Sequence, residues 1–317
     1  MTALVSGSLA YDNIMVFKDS FKNHILPDQI HILNVAFLVP ELRKEFGGCA
    51  GNIAYNMKLL GENPLPMGTV GEDFEPYLRR LKNLGIDVDY IRVVPQTLTA
   101  QAFITTDLDD NQITAFHPGA MDLSELNEVK DANGVTIGIV SPAGRLGMVE
   151  HARQFHAAKI PFVFDPGQGL PMFDGDDLKQ FIELATWVTV NDYEWQLMKD
   201  RTGYAAADVA ARTEALIVTR GGQGSVIHAG AESLDIPIAK PAQLTDPTGC
   251  GDAYRAGLLF GLLHRLDWPT VGRIAALMGA IKIECHGTQN HAFTPQEFMS
   301  RYKSSFGETF QWPATNG

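Results

Sequence analysis

Short apolar runs recur along the chain, and the stretches between them return an apolar residue every three or four positions. "ALVSGS", "TIGIVSP", "PFVFDPG" and "WVTVN" are such runs, bounded by turn formers, and each predicts a strand. "GNIAYNMKLL", "YLRRLKNLG", "GMVEHARQFHAAK", "DDLKQFIELAT" and "DYEWQLMKD" carry the helical period, and Gly61 and Gly85 stop the first two. "ALIVTRGGQGSVIHA" predicts a hairpin around a glycine turn, and two long helices are expected near 252–266 and 271–285. Strands apolar on both faces, alternating with amphipathic helices, predict an α/β fold with a doubly wound, mainly parallel sheet flanked by helices.

Two segments break this rhythm. Residues 13–46 have no helical period, and 100–119 alternate, predicting a hairpin with its turn at "DLDDNQ". Both could be surface loops. Long irregular insertions are usually functional, which favours a small β-stranded lid from about 13–46 and 96–119 on one domain spanning 1–317.

Composition narrows the class. At 317 residues and 45% hydrophobic content the chain can bury a large core without staples. Cys49, Cys250 and Cys285 are an odd, sparse set, against a disulfide framework or a zinc site and consistent with a reducing compartment. The N-terminus lacks a signal-peptide pattern, and the run "AGLLFGLL" is too short to span a bilayer, so a cytoplasmic protein without membrane contact is expected. A net charge of −12 with no Lys/Arg cluster argues against nucleic acid. An anionic small molecule would need local donors.

"DPTGCGDAY" offers such donors. Gly249, Cys250 and Gly251 bring bare backbone to the start of an apolar helix, where unpaired N–H groups and the dipole favour an anion. Asp252 beside an anion is costly unless it takes a proton from an attacking nucleophile; the plainer alternative is an acid in a first helical turn. Cys250 at this helix start is expected to be more acidic than a free thiol. "FGGCAGN" places Gly47 and Gly48 before another helix with Asn52 in its opening turn, suited to hydrogen bonding a substrate or simply to starting the helix. Asp12 is read as ending the first strand, facing the ligand crevice of such sheets, or as a turn residue. In "VNDYE", Asn191 and Glu194 could share one spot near a strand end and hold Mg²⁺, Glu194 through water, or could merely cap a helix. Thr219, Gly221 and Gly224 mark a turn that could wrap a nucleotide. Neither the P-loop nor the GxGxxG pattern is present.

In this order, "GGCAGN", "NDYE", "TRGGQG" and "DPTGCGD" resemble the four motifs of the ribokinase-like (PfkB) carbohydrate and nucleoside kinases, over nearly the whole chain. The resemblance implies ATP-dependent phosphorylation of a hydroxymethyl group, with ATP as donor, Mg²⁺, and a monovalent cation as a further candidate. It implies Asp252 as base, with Gly249, Cys250 and Gly251 as anion hole. Asp12, Gly47, Gly48 and Asn52 would bind the sugar hydroxyls, Asn191 and Glu194 the Mg²⁺ and phosphates, and Thr219, Gly221 and Gly224 the nucleotide. Cys250 and Pro247 depart from the usual Ala and Thr. Where some members place an Asn against the nucleotide, this chain reads "IAALMGAIKI", and Asn290 is the candidate substitute. The long first lid segment, "ITAFHPGAM" and "ECHGTQNH" resemble the bacterial adenosine kinase-like branch. Phe37, Phe103 and Phe116 could face a purine or pack the lid itself. The expected activity is phosphorylation of the adenosine 5′-hydroxyl to AMP. A ribose or fructose kinase, and a catalytically silent purine-binding regulator, are the alternatives. The protein is expected as a monomer, or as a homodimer through the lid.

Overall fold

Strands apolar at every position must be covered on both faces, and the central strands are. In Trp187–Asn191 the side chains of Val188 and Val190 enter one core, and Trp187 enters the other. Leu216 and Val218 separate from Ala215 and Ile217 in the same way. This computed structural model describes residues 2–25, 34–109 and 111–313; residues 26–33 of the expected lid segment lie outside the described residues.

The strands are β1 (Ala3–Ser6), β2 (Ala10–Val16), β3 (Glu41–Gly47), β4 (Leu65–Val70), β5 (Ile91–Val93), β6 (Ala100–Thr106) and β7 (Gln112–His117), then β8 (Ile137–Val140), β9 (Phe162–Phe164), β10 (Trp187–Asn191), β11 (Ala215–Thr219), β12 (Ser225–Ala229) and β13 (Glu232–Ile236). The large sheet has the order β13-β12-β11-β10-β9-β8-β1-β4-β5. It is parallel except at β12, which pairs antiparallel with both neighbours. The helices are α1 (Cys49–Leu59), α2 (Glu75–Asn83), α3 (Arg145–Ala157), α4 (Gly175–Leu184), α5 (Asp192–Thr202), α6 (Ala206–Ala210), α7 (Cys250–Leu263), α8 (Trp268–Ile283) and α9 (Pro295–Phe306). Helices α1, α7 and α8 cover one face of the sheet; α3 to α6 cover the other. Gly257 lets α7 and α8 touch, since a Cβ there would lie 2.6 Å from the Ala275 Cα. Among the described residues, no helix is long and apolar enough to cross a membrane.

Several elements escape the sequence reading. β4 is wholly buried but reads "LPMGTV", and Pro66 and Gly68 erase its strand signal. Pro66 stands outside the 68–70 stretch that β5 pairs, so its missing N–H breaks no bond of that ladder. β5, β13, α6 and α9 also lie outside those expectations.

The lid is a second sheet of order β3-β2-β6-β7. Its β6–β7 hairpin matches expectation, and Asp107 Oδ1 accepts the backbone N–H groups of Asp109 and Asn111 at 2.9 Å each to shape the turn. Asp12 corrects the reading. It does not end β1, which stops at Ser6; it is the third residue of β2, inside the lid. The lid therefore begins at Ala10, and Gly7 is where the chain changes sheets. Phe37 packs tilted against Phe17 and Phe21, with ring centroids 4.8 and 5.0 Å away, within the lid's own aromatic group.

Candidate active site

The open crevice of a doubly wound sheet lies at the carboxyl ends of its strands, where the order reverses. Here Ser6, Ser141, Asp165, Asn191 and Thr219 end or follow adjacent parallel strands. Helix α7 starts over this edge. Its N-cap, Gly249, has φ +78°, and no side chain caps the helix, leaving first-turn donors for a ligand. A Cβ at Gly249 would lie 2.9 Å from Thr288 Cγ2, so the turn admits only glycine on two counts. Asp246 holds the turn from below, accepting the N–H groups of Thr248 and Gly287 at 2.9 Å.

Asp252 lies in the first turn of α7, half-buried. Its Oδ2 accepts a 2.8 Å hydrogen bond from Asn52 Nδ2, joining two motifs 200 residues apart. Burial pushes this carboxyl up to about 6 from 3.8; the Asn52 hydrogen bond and Arg255 pull it down, and the Asp165 charge adds to the rise. A carboxyl in that range is ionised at neutral pH and still basic enough to take a proton.

Cys250 overturns its expectation. Burial pushes its thiol up to about 11, against the opposing charge of Lys282, so desolvation outweighs the helix terminus. Iodoacetamide at pH 7.5 should label Cys250 more slowly than a cysteine in an unstructured peptide, read by mass spectrometry. Faster labelling would restore the thiolate.

Asn191 and Glu194 form a reciprocal cap at the start of α5. Asn191 Oδ1 accepts the Glu194 N–H at 2.7 Å, and Glu194 Oε2 accepts the Asn191 N–H at 2.8 Å. The capping alternative is thus realised, but it does not exhaust the carboxylate. Glu194 Oε2 lies 3.9 Å from Arg255 Nη2, and Arg255 grips Asp165 through Nε at 3.1 Å and Nη2 at 3.0 Å. Asp165 and Arg255 are 3% and 5% exposed, a buried pair that the sequence reading missed. Two signals were available: Asp165 follows a buried strand, as Asn191 ends one, and Arg255 is the charge one turn after Asp252 in an apolar helix. Among the described residues no cluster of three or more His, Cys, Asp or Glu could hold a metal ion. Glu194 offers one carboxylate toward Mg²⁺, which is usually held by one or two carboxylates, waters and substrate phosphates, while the groups now facing it are nitrogen donors: Asn191 N and Nδ2 at 2.8 Å each and Arg255 Nη2 at 3.9 Å.

Thr219 is the register partner of Asn191 at the same edge. The turn after it is exposed. Gly221 has φ +53° with nothing within 4 Å of a Cβ, and Gly224 has φ +83° with a Cβ position only 2.1 Å from Ile236 O. Gly221 therefore leaves open approach, whereas Gly224 is required by the fold.

On the lid side, Glu45, Asp12, Ala102 and Phe116 are register partners across β3, β2, β6 and β7, so they share one face. Burial pushes Asp12 up to about 6, with the Glu45 and Asp246 charges adding to it. Gly47 makes room for this carboxylate, because a Cβ there would lie 2.4 Å from Asp12 Oδ2. Gly48, at φ +84°, lets the β3–α1 and β1–β2 connections cross; a Cβ would lie 2.6 Å from Ser8 O. Phe116 is 52% exposed on the Asp12 face, while Phe103 falls on the opposite one. Asn290, expected against the nucleotide, is placed elsewhere: it donates to Glu45 Oε2 at 3.1 Å and to His286 O at 3.0 Å, beside the Asp12 row.

Comparison with known proteins agrees with this geometry. The sequence profile for "pfkB family carbohydrate kinase" matches residues 13–295. The chain is 34% identical over 272 residues to the nucleoside kinase of Methanocaldococcus jannaschii, covering 84% of this chain and 89% of that protein. The structure of Burkholderia thailandensis nucleoside kinase in complex with inosine is similar at TM-score 0.89 and 50% identity, covering 97% of this chain and 99% of that one. The ADP-inosine complex of the same kinase matches at TM-score 0.86 and 52% identity, covering 97% of each chain. With four motifs meeting at one sheet edge under a lid, and a profile match over most of its length, the chain belongs to the pfkB family of carbohydrate kinases, phosphotransferases with an alcohol group as acceptor.

Proposed function

We propose that the protein is an ATP-dependent nucleoside kinase that phosphorylates the 5′-hydroxyl of a purine nucleoside, with adenosine the acceptor implied by the sequence and inosine the nucleoside held by a relative of 50% identity. The observation that carries it is Asp252: a carboxyl near pKa 6, at an uncapped glycine-flanked helix mouth, held by Asn52. Asp252 takes the hydroxyl proton as the oxygen attacks the γ-phosphorus and ADP leaves. The N–H groups of Gly249, Cys250 and Gly251 receive the developing charge, so catalysis is mainly positioning and electrostatics. Asp12, Asn52 and the Gly47–Gly48 backbone bind the ribose hydroxyls. Thr219, Gly221 and Gly224 line the nucleotide. Glu194, its carboxylate oriented by Asn191, would hold Mg²⁺ through water, and that ion would supply neutralisation of phosphate charge. ADP in the relative's complex supports ATP as donor. The exposed apolar residues Leu42, Phe103 and Ile113, on the lid face away from Asp12, support a homodimer through the lid.

The choice of a nucleoside over a free sugar rests on Phe116, exposed on the Asp12 face. A purine stacked there gains roughly 0.5–1.5 kcal/mol beyond its area burial. With that burial added, kcat/KM for adenosine and inosine should exceed that for ribose and fructose by about ten-fold or more. A coupled ADP-release assay with all four acceptors at one ATP-Mg concentration decides. A win for ribose or fructose replaces this reading by the sugar kinase. Binding of adenosine without turnover would favour the silent regulator.

A further inference from the structure

Asn52 can hold Asp252 as a base only if its amide nitrogen, not its oxygen, faces the carboxylate. The two ends of an amide have nearly the same shape, so something else must decide. A chain of groups of fixed polarity does so. The Gly47 carbonyl can only accept, and it takes the Tyr77 hydroxyl hydrogen at 3.0 Å. Tyr77 Oη is then an acceptor toward Gln289, whose Nε2 donates to it at 2.6 Å. That same Nε2 reaches Asn52 at 3.1 Å, so Asn52 must present Oδ1 to it and Nδ2 to Asp252. Arg80, a pure donor, closes the other side: its Nη2 donates to the Gln289 carbonyl and its Nε to Gln289 Oε1 at 3.5 Å. Gln289 is 2% exposed and Asn52 4%, so water does not compete freely for these bonds. Gly51 makes the space, since a Cβ there would fall 2.0 Å from Tyr77 Oη.

We propose that Gln289, anchored by Tyr77 and Arg80, is a positioning residue that fixes the amide of Asn52 so that its nitrogen faces the Asp252 carboxylate. The idea rests on the kinase reading of Asp252. It assigns work to a residue beside Asn290, the one that the sequence had singled out. When Gln289 is lost, Asn52 is free to turn its oxygen toward Asp252, which disfavours the carboxylate. The other titratable groups around Asp252 stay in place: Asp165 after β9, Cys250 and Arg255 on α7, and Cys49 at the start of α1.

The test is the pH profile of kcat/KM for inosine with saturating ATP-Mg, in the wild type, Gln289→Leu and Tyr77→Phe, alongside Asp252→Asn. Gln289→Leu adds no charge, and Asp12, which burial also pushes up to about 6, titrates in the same range, so a rise of the acid limb that requires Asn52 is what reports the hydrogen bond. Loss of one hydrogen bond to a carboxylate should move the limb up by about one pH unit, a loss of about five-fold at pH 6 that shrinks steadily above pH 7. Tyr77→Phe should move it the same way, and serves if Gln289→Leu does not fold. In an Asn52→Ala background, Gln289→Leu should no longer move the limb. A loss by the same factor at every pH, an unmoved limb, or an equal shift without Asn52 overturns the proposal. Wild-type turnover in Asp252→Asn overturns the kinase reading beneath it. An inactive Asp252→Asn with an unmoved Gln289→Leu limb overturns the positioning role alone.

Discussion

Asp252→Asn should lose about 10²–10⁴-fold in kcat while the protein folds and binds nucleoside as before, because a general base in proton transfer typically contributes that much. The substituted amide keeps an oxygen to accept from Asn52 Nδ2, so the 2.8 Å contact can persist without basicity. Stability should move the other way. The folded-state pKa of Asp252 is raised from 3.8 to about 6, so the native state binds this proton more tightly than the unfolded chain. Ionisation therefore begins to cost stability above pH 4, and the full cost is present above pH 6. A shift of that size corresponds to at most about 3 kcal/mol, and partial exposure reduces it to ~1–2 kcal/mol. At pH 7.5 the variant should melt ~1–3 °C above the wild type, and the gap should close below pH 4. Steady-state kinetics and calorimetry at two pH values check both halves. A kcat near that of the wild type would sink the mechanism.

Arg255→Met should be the most destabilising single change at the site. It strands Asp165, 3% exposed, without its bidentate partner. Breaking one side of a buried pair costs about 3–5 kcal/mol, roughly 5–8 °C in Tm for a chain of this size. Activity should fall as well, because Arg255 pulls the carboxyls of both Asp252 and Glu194 down. The double variant Asp165→Asn with Arg255→Met should regain much of the stability, since no uncompensated charge remains. Thermal melts of the two variants decide. A single variant within about 1 kcal/mol of the wild type would show that water reaches this pair.

The legible parts of this protein were those in which neighbours along the chain do the physical work. The parallel sheet followed from apolar runs such as "WVTVN", buried on both faces because both neighbours in the run are apolar. The β6–β7 hairpin followed from alternation plus a polar turn. The glycines of "DPTGCGD" announced an exposed helix mouth, since φ +78° at Gly249 is a local demand. β4 stayed hidden because Pro66 and Gly68 are poor strand formers that only its sheet neighbours override.

Asp12 and Asn290 show where local reading gives out. "GSLAYDN" holds no signal that the chain leaves one sheet for another at Gly7, so the sequence puts Asp12 at the end of β1, whereas it lies inside β2 of the lid. Asn290 sits in a loop, and its partner Glu45 lies 245 positions away. Sequence alone determined the fold class, because periodicity, turn chemistry and helix starts are short-range, and the resemblance of its four motifs to the pfkB family singled out Asp252 as the candidate acid. Only the tertiary structure decided what each polar group faces. Asn52 meets Asp252 and Gln289, Arg255 meets Asp165 and Glu194, and Cys250 is too buried to ionise easily. Those outcomes depend on distance and desolvation between segments remote in sequence, which no local pattern encodes.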